Sequence, residues 1–227
     1  MSQLLLDILP EHFPTLDNFV AGRNLELLSA LRHALSGTSS ERSFYLWGEA
    51  GSGRSHLLQA CINVAKETHR DAIYVRGNVP AHLADVMAVD DVELLDDAAQ
   101  VALFDLYNRM RDSGGVLLVS GSVSPPHLKL RNDLRTRLGW GLVYQLHILN
   151  DEEKEKALVR HAEQKGYELP TEVIHYLLRH GRRDLPSLVA ALDALDELSL
   201  RLHRPPTVPL LKEILLRSQT GSGSAEN

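Results

Sequence analysis

The segment Gly48-Glu49-Ala50-Gly51-Ser52-Gly53-Arg54-Ser55 has the residue types and the spacing to hold a polyphosphate. It follows the pattern G-x-x-x-x-G-K-[ST], with Arg54 standing where lysine is usual. Glycines let the backbone curl until successive N–H groups face phosphate oxygens, and a helix N-terminus behind them adds positive potential. On this pattern Gly48, Gly51, Ser52, Gly53 and Arg54 contact phosphate, with His56 beside them at the start of the helix. The Ser55 hydroxyl is placed to ligate Mg2+. Arginine keeps lysine's charge but is longer, planar and forked, so phosphate binding is expected where turnover is not. The competing reading is a glycine-rich surface turn after a strand.

A second acidic site follows. Val86-Met87-Ala88-Val89-Asp90-Asp91 is an apolar strand ending in two carboxylates. Asp90 is the residue expected to hold Mg2+ through water. Asp91 stands where a carboxylate would polarise an attacking water as a catalytic residue, but its short side chain limits that reach. Alternatively, the pair caps the next helix. Ser120, closing the apolar run VLLVS, is a candidate nucleotide-contacting sensor, although a serine at a strand end often satisfies backbone groups. Eleven histidines are present, yet no H-E-x-x-H or paired-cysteine spacing points to a metal centre. Cys61, the single cysteine, reads as a buried inert thiol.

These groups need a scaffold, and the chain supplies one. SFYLWG, AIYVRG, VMAVDD, GVLLVSG and LVYQLHIL are short apolar runs suited to strands, separated by helical patterns such as Asn24–Leu35, SHLLQACINVAKET and DDAAQVALFDLYNRMRDSG. Strands alternating with helices predict an α/β fold with a parallel sheet covered on both faces. After about Asn150 the pattern becomes wholly helical, with Asn150 or Asp151 as a cap and Leu185, Leu188, Leu192, Leu195 and Leu198 as one apolar stripe. The organisation expected is an arm over 1–10, a nucleotide-binding α/β domain over 11–150, a helical lid over 151–218 and a disordered tail over 219–227. The 227 residues include 44% hydrophobic ones, enough for a sizeable core, and no run long enough to cross a bilayer. A lone cysteine fits a reducing cytoplasm. The net charge of −6 suits a polyphosphate backbone poorly, so contact with DNA is expected only through a partner.

FPTLDNFVAGRN (Phe13–Asn24), FDLYNRMRDSG (Phe104–Gly114), VSGSVSPPHL (Val119–Leu128) and LRTRLGWGLVYQL (Leu134–Leu146), taken with the phosphate loop, resemble segments of the bacterial replication initiator DnaA, a AAA+ P-loop protein. The likeness covers about residues 13 to 215. It implies a P-loop AAA+ parallel sheet flanked by helices, followed by a small all-α lid domain. It also implies an adenine nucleotide, ADP or ATP, cradled by the leading segment at Phe19 and Val20. The chain ends after the lid without the initiator's DNA-binding domain. What remains resembles the Hda family, DnaA-related inactivators of initiation.

That resemblance implies a negative regulator of replication. Arg137 falls on the arginine-finger position, reaching in trans into ATP held by DnaA. Gln3, Leu4, Leu6 and Ile8 look like the peptide with which such proteins dock into the DNA polymerase sliding clamp, where the glutamine meets a pocket rim and the apolar residues fill a groove. A self-packed edge strand is the alternative for the arm, an ion pair with Asp133 or another acid the alternative for Arg137, and a homodimer that hides the arm the alternative to a monomer. Departures remain. Pro186 stands where the lid's sensor arginine is expected, with Arg182 or Arg183 as substitutes. The 78–85 connection leaves little room for a crossover helix. Arg54 and Asp91, the latter in place of glutamate, argue against self-hydrolysis. An autonomous AAA+ loader and a non-catalytic clamp adaptor are the other functional readings.

Overall fold

The computed structural model describes residues 14–182 and 184–221. Two compact units divide the chain, Phe13–Ile148 and the segment from Leu149 onward. The arm residues Gln3, Leu4, Leu6 and Ile8 lie outside the described residues.

In the first unit five parallel strands, β1 (Ser43–Trp47), β2 (Ala72–Arg76), β3 (Val86–Asp90), β4 (Val116–Gly121) and β5 (Leu142–Gln145), lie in the order β2-β3-β4-β1-β5. The central β3 and β4 are buried at every position, as their unbroken apolar runs require, whereas β5 at one edge alternates. Only Leu142–Gln145 of the expected last strand pairs. Beyond it Leu146 N–H still donates to the Trp47 carbonyl at 2.7 Å, and the chain then leaves the sheet.

Helices α1 (Leu25–Ser36) and α2 (Arg54–Glu67) cover one face, and α3 (Asp97–Ser113) with α4 (Asn132–Leu138) the other. Strand alternation divides β1 between the two cores. Phe44 and Leu46 join Leu31, Leu57 and Leu58, while Tyr45 joins Met87, Leu103 and Met110. Each such buried side chain contributes roughly 1.5–3 kcal/mol against its exposed state. Asp96 caps α3 by accepting the Ala99 N–H at 2.8 Å, and Gly114 ends it in the left-handed region at φ 73°. Between β2 and β3 there is no helix. A strand of this length spans roughly 15 Å, which the short connection can retrace in extended form. Arg109 holds that connection by donating to the Ala81 carbonyl at 2.8 Å, and Val79 and Leu83 pack on the core.

The second unit is helical: α5 (Asp151–Gln164), α6 (Thr171–His180), α7 (Leu185–Leu202) and α8 (Val208–Gly221). Asn150 and Glu153 form a reciprocal capping box at 2.8 and 2.9 Å, which is why the helical pattern begins there. Leu188, Leu192 and Leu195 of the expected stripe are fully buried, with Leu185 and Leu198 flanking them. One expectation is corrected. The last helix runs to Gly221, past the start of the tail proposed at 219, because its backbone keeps the helical path there.

Candidate nucleotide site

The phosphate loop leaves the end of β1 and enters α2, the context its sequence demanded. Gly51 and Gly53 hold φ of 82° and 95°, a region open to glycine at little cost, and the second glycine is the N-cap of α2. A Cβ at Gly53 would lie 2.7 Å from the Phe19 ring, and one at Gly48 would lie 2.6 Å from the Leu146 carbonyl. Both positions therefore need glycine for close approach as well. Ser52 Oγ and Arg54 Nη1 are buried and have no hydrogen-bond partner among the described residues. Orphaned buried donors are costly, so these two point to an anion as their missing partner. The loop therefore fits a phosphate group. Ser55 is exposed at the first turn of α2.

The leading segment closes against the start of α2. The Phe19 ring lies tilted against His56 with centroids 5.7 Å apart. His56 Nε2 sits 3.1 Å from the Thr15 carbonyl, and Asn63 donates to the Pro14 carbonyl at 2.8 Å. Burial lowers the His56 pKa, and the Thr15 hydrogen bond opposes that only in part. His56 thus serves as a packed fastener of the segment that carries Phe19 and Val20. Asn24, buried, exchanges two hydrogen bonds with the backbone of His147 at 3.1 and 2.9 Å, tying the segment's end to the exit of β5.

The acids are built into a network. Asp90 is fully buried; one carboxylate oxygen accepts from the Ser120 hydroxyl, and the other from the Tyr74 hydroxyl at 2.6 Å. Burial and the Asp90 hydrogen bond push the Tyr74 phenol up to about 12. Ser120 Oγ in turn accepts the Asp91 N–H at 2.9 Å, so this serine fixes both acids. Asp91 makes no cap bond to the 3-10 turn after it, which removes the capping alternative. Its carboxylate, 18% exposed, lies 2.7 Å from Arg76 Nη2 and 3.4 Å from Arg54 Nη2. Tyr74, Arg76 and Asn24 did not emerge from the sequence as site residues. No sequence signal marked them: it is the strand register that sets Arg76, at the close of β2, level with Asp90.

Arg137 lies elsewhere. It sits in the last turn of α4, and Gly141, a few residues on, packs so closely on Ser43 that a Cβ would meet its carbonyl. Ser43 begins β1, whereas the phosphate loop leaves its far end, roughly 15 Å away along the strand. The Arg137 guanidinium lies 4.0 Å from the Trp140 ring centroid and 5.4 Å from that of Phe104. Asp133 pairs with Arg131 at 2.9 Å instead, and Arg135 donates to Asn132 at 2.7 Å. Arg137 has no acidic partner among the described residues. Trp140 is 59% exposed.

In the second unit, Pro186 occupies the first turn of α7 behind the Asp184 cap, a place where a missing N–H costs nothing. Arg182 pairs with Asp184 at 3.3 Å, and Arg183 lies outside the described residues.

A parallel sheet in this strand order, a glycine loop from its first strand into a helix, acids ending the third and a helical unit behind define a AAA+-type P-loop fold. The family model for the Hda lid domain matches residues 151–215. A protein of Haemophilus influenzae, described only as uncharacterized, is 38% identical over 215 residues, covering 88% of this chain and 93% of its own. Domain III of the Thermotoga maritima replication initiation protein DnaA superposes with a TM-score of 0.73 at 21% identity, over 89% of this chain and 95% of that one. AMPPCP-bound DnaA from Aquifex aeolicus gives 0.71 at 23% identity, over 85% of this chain and 67% of that one. A solved DNA replication initiation factor gives 0.68 at 20% identity over 81% of this chain, which spans 64% of its length. Through residues 151–215 the chain belongs to the family of the Hda lid domain, and its fold is that of the AAA+ domain of DnaA. No helix among the described residues is long and apolar enough to cross a membrane.

Proposed function

We propose that this chain is a cytoplasmic negative regulator of replication initiation that stimulates hydrolysis of ATP held by DnaA. Arg137, supplied in trans, is the finger that stabilises charge developing on the γ-phosphate. The observation that carries this reading is the setting of Arg137: the opposite end of β1 from the chain's own phosphate loop, on aromatic faces, with no acidic partner among the described residues. An arginine so placed is turned away from home and keeps its fork of donors for another molecule. Its own site holds ADP or ATP through Gly48, Gly51, Ser52, Gly53, Arg54 and Ser55, with Phe19 and Val20 beside the adenine. Mg2+ is held by the Ser55 hydroxyl, and Asp90 acts only through water because both its oxygens already accept hydroxyl donors. Docking to the sliding clamp through Gln3, Leu4, Leu6 and Ile8 brings the chain to the DNA, which it contacts only through partners.

The test follows ATP hydrolysis by DnaA with clamp loaded on DNA, adding wild type or Arg137→Ala. Stimulation is expected to fall by about 10³-fold in the variant, with ADP retention and melting temperature unchanged. Equal stimulation by both proteins refutes the finger. Stimulation that survives removal of residues 1–8 refutes the clamp tether alone.

A further inference from the structure

We infer that Arg76 is a positioning residue that holds the Asp91 carboxylate toward β2 and, with Arg54, keeps this chain from hydrolysing its own nucleotide. The inference rests on the reading that the phosphate loop holds that nucleotide. Arg76 is the last residue of β2 and pairs in register with Asp90, so its side chain arises beside the acid that follows. The contact distances distinguish the two cations. Arg76 Nη2 is 2.7 Å from one Asp91 oxygen, a close ion pair; Arg54 Nη2 is 3.4 Å from the other, a longer one.

Arg54 also has a buried nitrogen without a partner. Being loosely held and incompletely satisfied, it is the cation that turns to an arriving phosphate. Arg76 stays. Asp91 cannot follow Arg54, because its backbone is fixed in the left-handed region at φ 52° and its N–H is bound to Ser120. A base must aim a carboxylate oxygen at the water it activates. Here the side chain is one methylene shorter than glutamate and is tethered on the β2 side. The two departures in the motifs, Arg54 and Asp91, are thus two members of one ion-paired triad.

Four full-length proteins test this: wild type, Arg76→Gln, Asp91→Glu and the double variant. Single-turnover hydrolysis of pre-bound ATP is measured beside release of a fluorescent ADP analogue, which separates faster chemistry from faster exchange. The double variant is expected to hydrolyse at least about tenfold faster than wild type and several-fold faster than Asp91→Glu alone. A double variant no faster than wild type, or an Asp91→Glu protein that captures the whole gain, overturns the inference. A thermal double-mutant cycle on nucleotide-free protein, pairing Arg76→Gln with Asp91→Asn, reads the contact without any nucleotide. Non-additive melting shifts support it, and additive ones overturn it. Were wild type to retain no nucleotide, the reading of the loop would fail while the cycle still decided whether Arg76 holds Asp91.

Discussion

At the end of β1 where the phosphate loop begins, cations and carboxylates are interleaved: Arg54 and Arg76 bracket Asp91, and Asp90 lies behind them under Ser120 and Tyr74. At the other end of the same strand a single guanidinium lies on the faces of Trp140 and Phe104, with the neighbouring Asp133 engaged by Arg131. An arginine between acids is committed to its own molecule, since leaving one of those carboxylates alone in a half-buried site is costly. An arginine on a π-face is oriented by attraction to the ring but keeps its N–H groups for carboxylate or phosphate. On the function proposed above, the two surroundings divide labour between holding a nucleotide and acting on another.

Substitutions that touch one end of β1 only can sharpen or break this division. Beyond loss of Arg137 itself, the largest effect is expected for Gly53→Ala. The new methyl must enter the Phe19 ring in a backbone conformation that L side chains resist, at a strain of about 1–3 kcal/mol. ADP affinity measured by calorimetry should then fall roughly 10- to 100-fold. The division predicts that stimulation of the partner survives in this variant when saturating ADP is supplied. If stimulation is lost even at saturation, the two ends are coupled and the comparison fails.

Trp140→Leu comes next. It removes an exposed cation–π contact worth about 0.5–1 kcal/mol, so trans stimulation should drop about two- to fivefold while ADP affinity stays constant. An unchanged stimulation would mean that the ring does not orient the finger.

The smallest effect is on the helical unit. Asp184 accepts the Ser187 N–H at 3.0 Å as the N-cap of α7. Burial alone would raise its pKa, but the Ser187 hydrogen bonds and Arg182 outweigh that and lower it. A lowered folded pKa means that this cap's contribution is fully present above the unfolded value near 3.9 and is lost as pH falls through the folded one. Asp184→Ala should cost about 1 kcal/mol of that unit's stability at pH 7. The difference from wild type should shrink below about pH 4, as read by helical circular dichroism during urea unfolding. Neither end of β1 should respond.

Much of this was legible before any coordinates. The phosphate loop announced itself because its glycines and serines fall within one short run of the chain. The Asn150 cap depends on neighbours a few residues away. Buried strands read as unbroken apolar runs for the same local reason. The end of β5 was read too long because LVYQLHIL has a strand's composition throughout, and only its pairing with β1 decides where the ladder stops.

The amino-acid order by itself determined which segments are strands and helices, where the glycine-rich loop lies and which motif residues depart from the usual pattern, because each of those depends on spacing within a turn or a strand. The tertiary structure alone decided what the departures mean. Arg76 reaches Asp91 because β2 and β3 align in one register, and Asn24 grips His147 across most of the first unit. Arg137 faces an indole instead of Asp133 because the last turn of α4 is pinned where Gly141 meets Ser43. Such meetings are fixed by packing between distant segments, and packing has no period that a sequence can display.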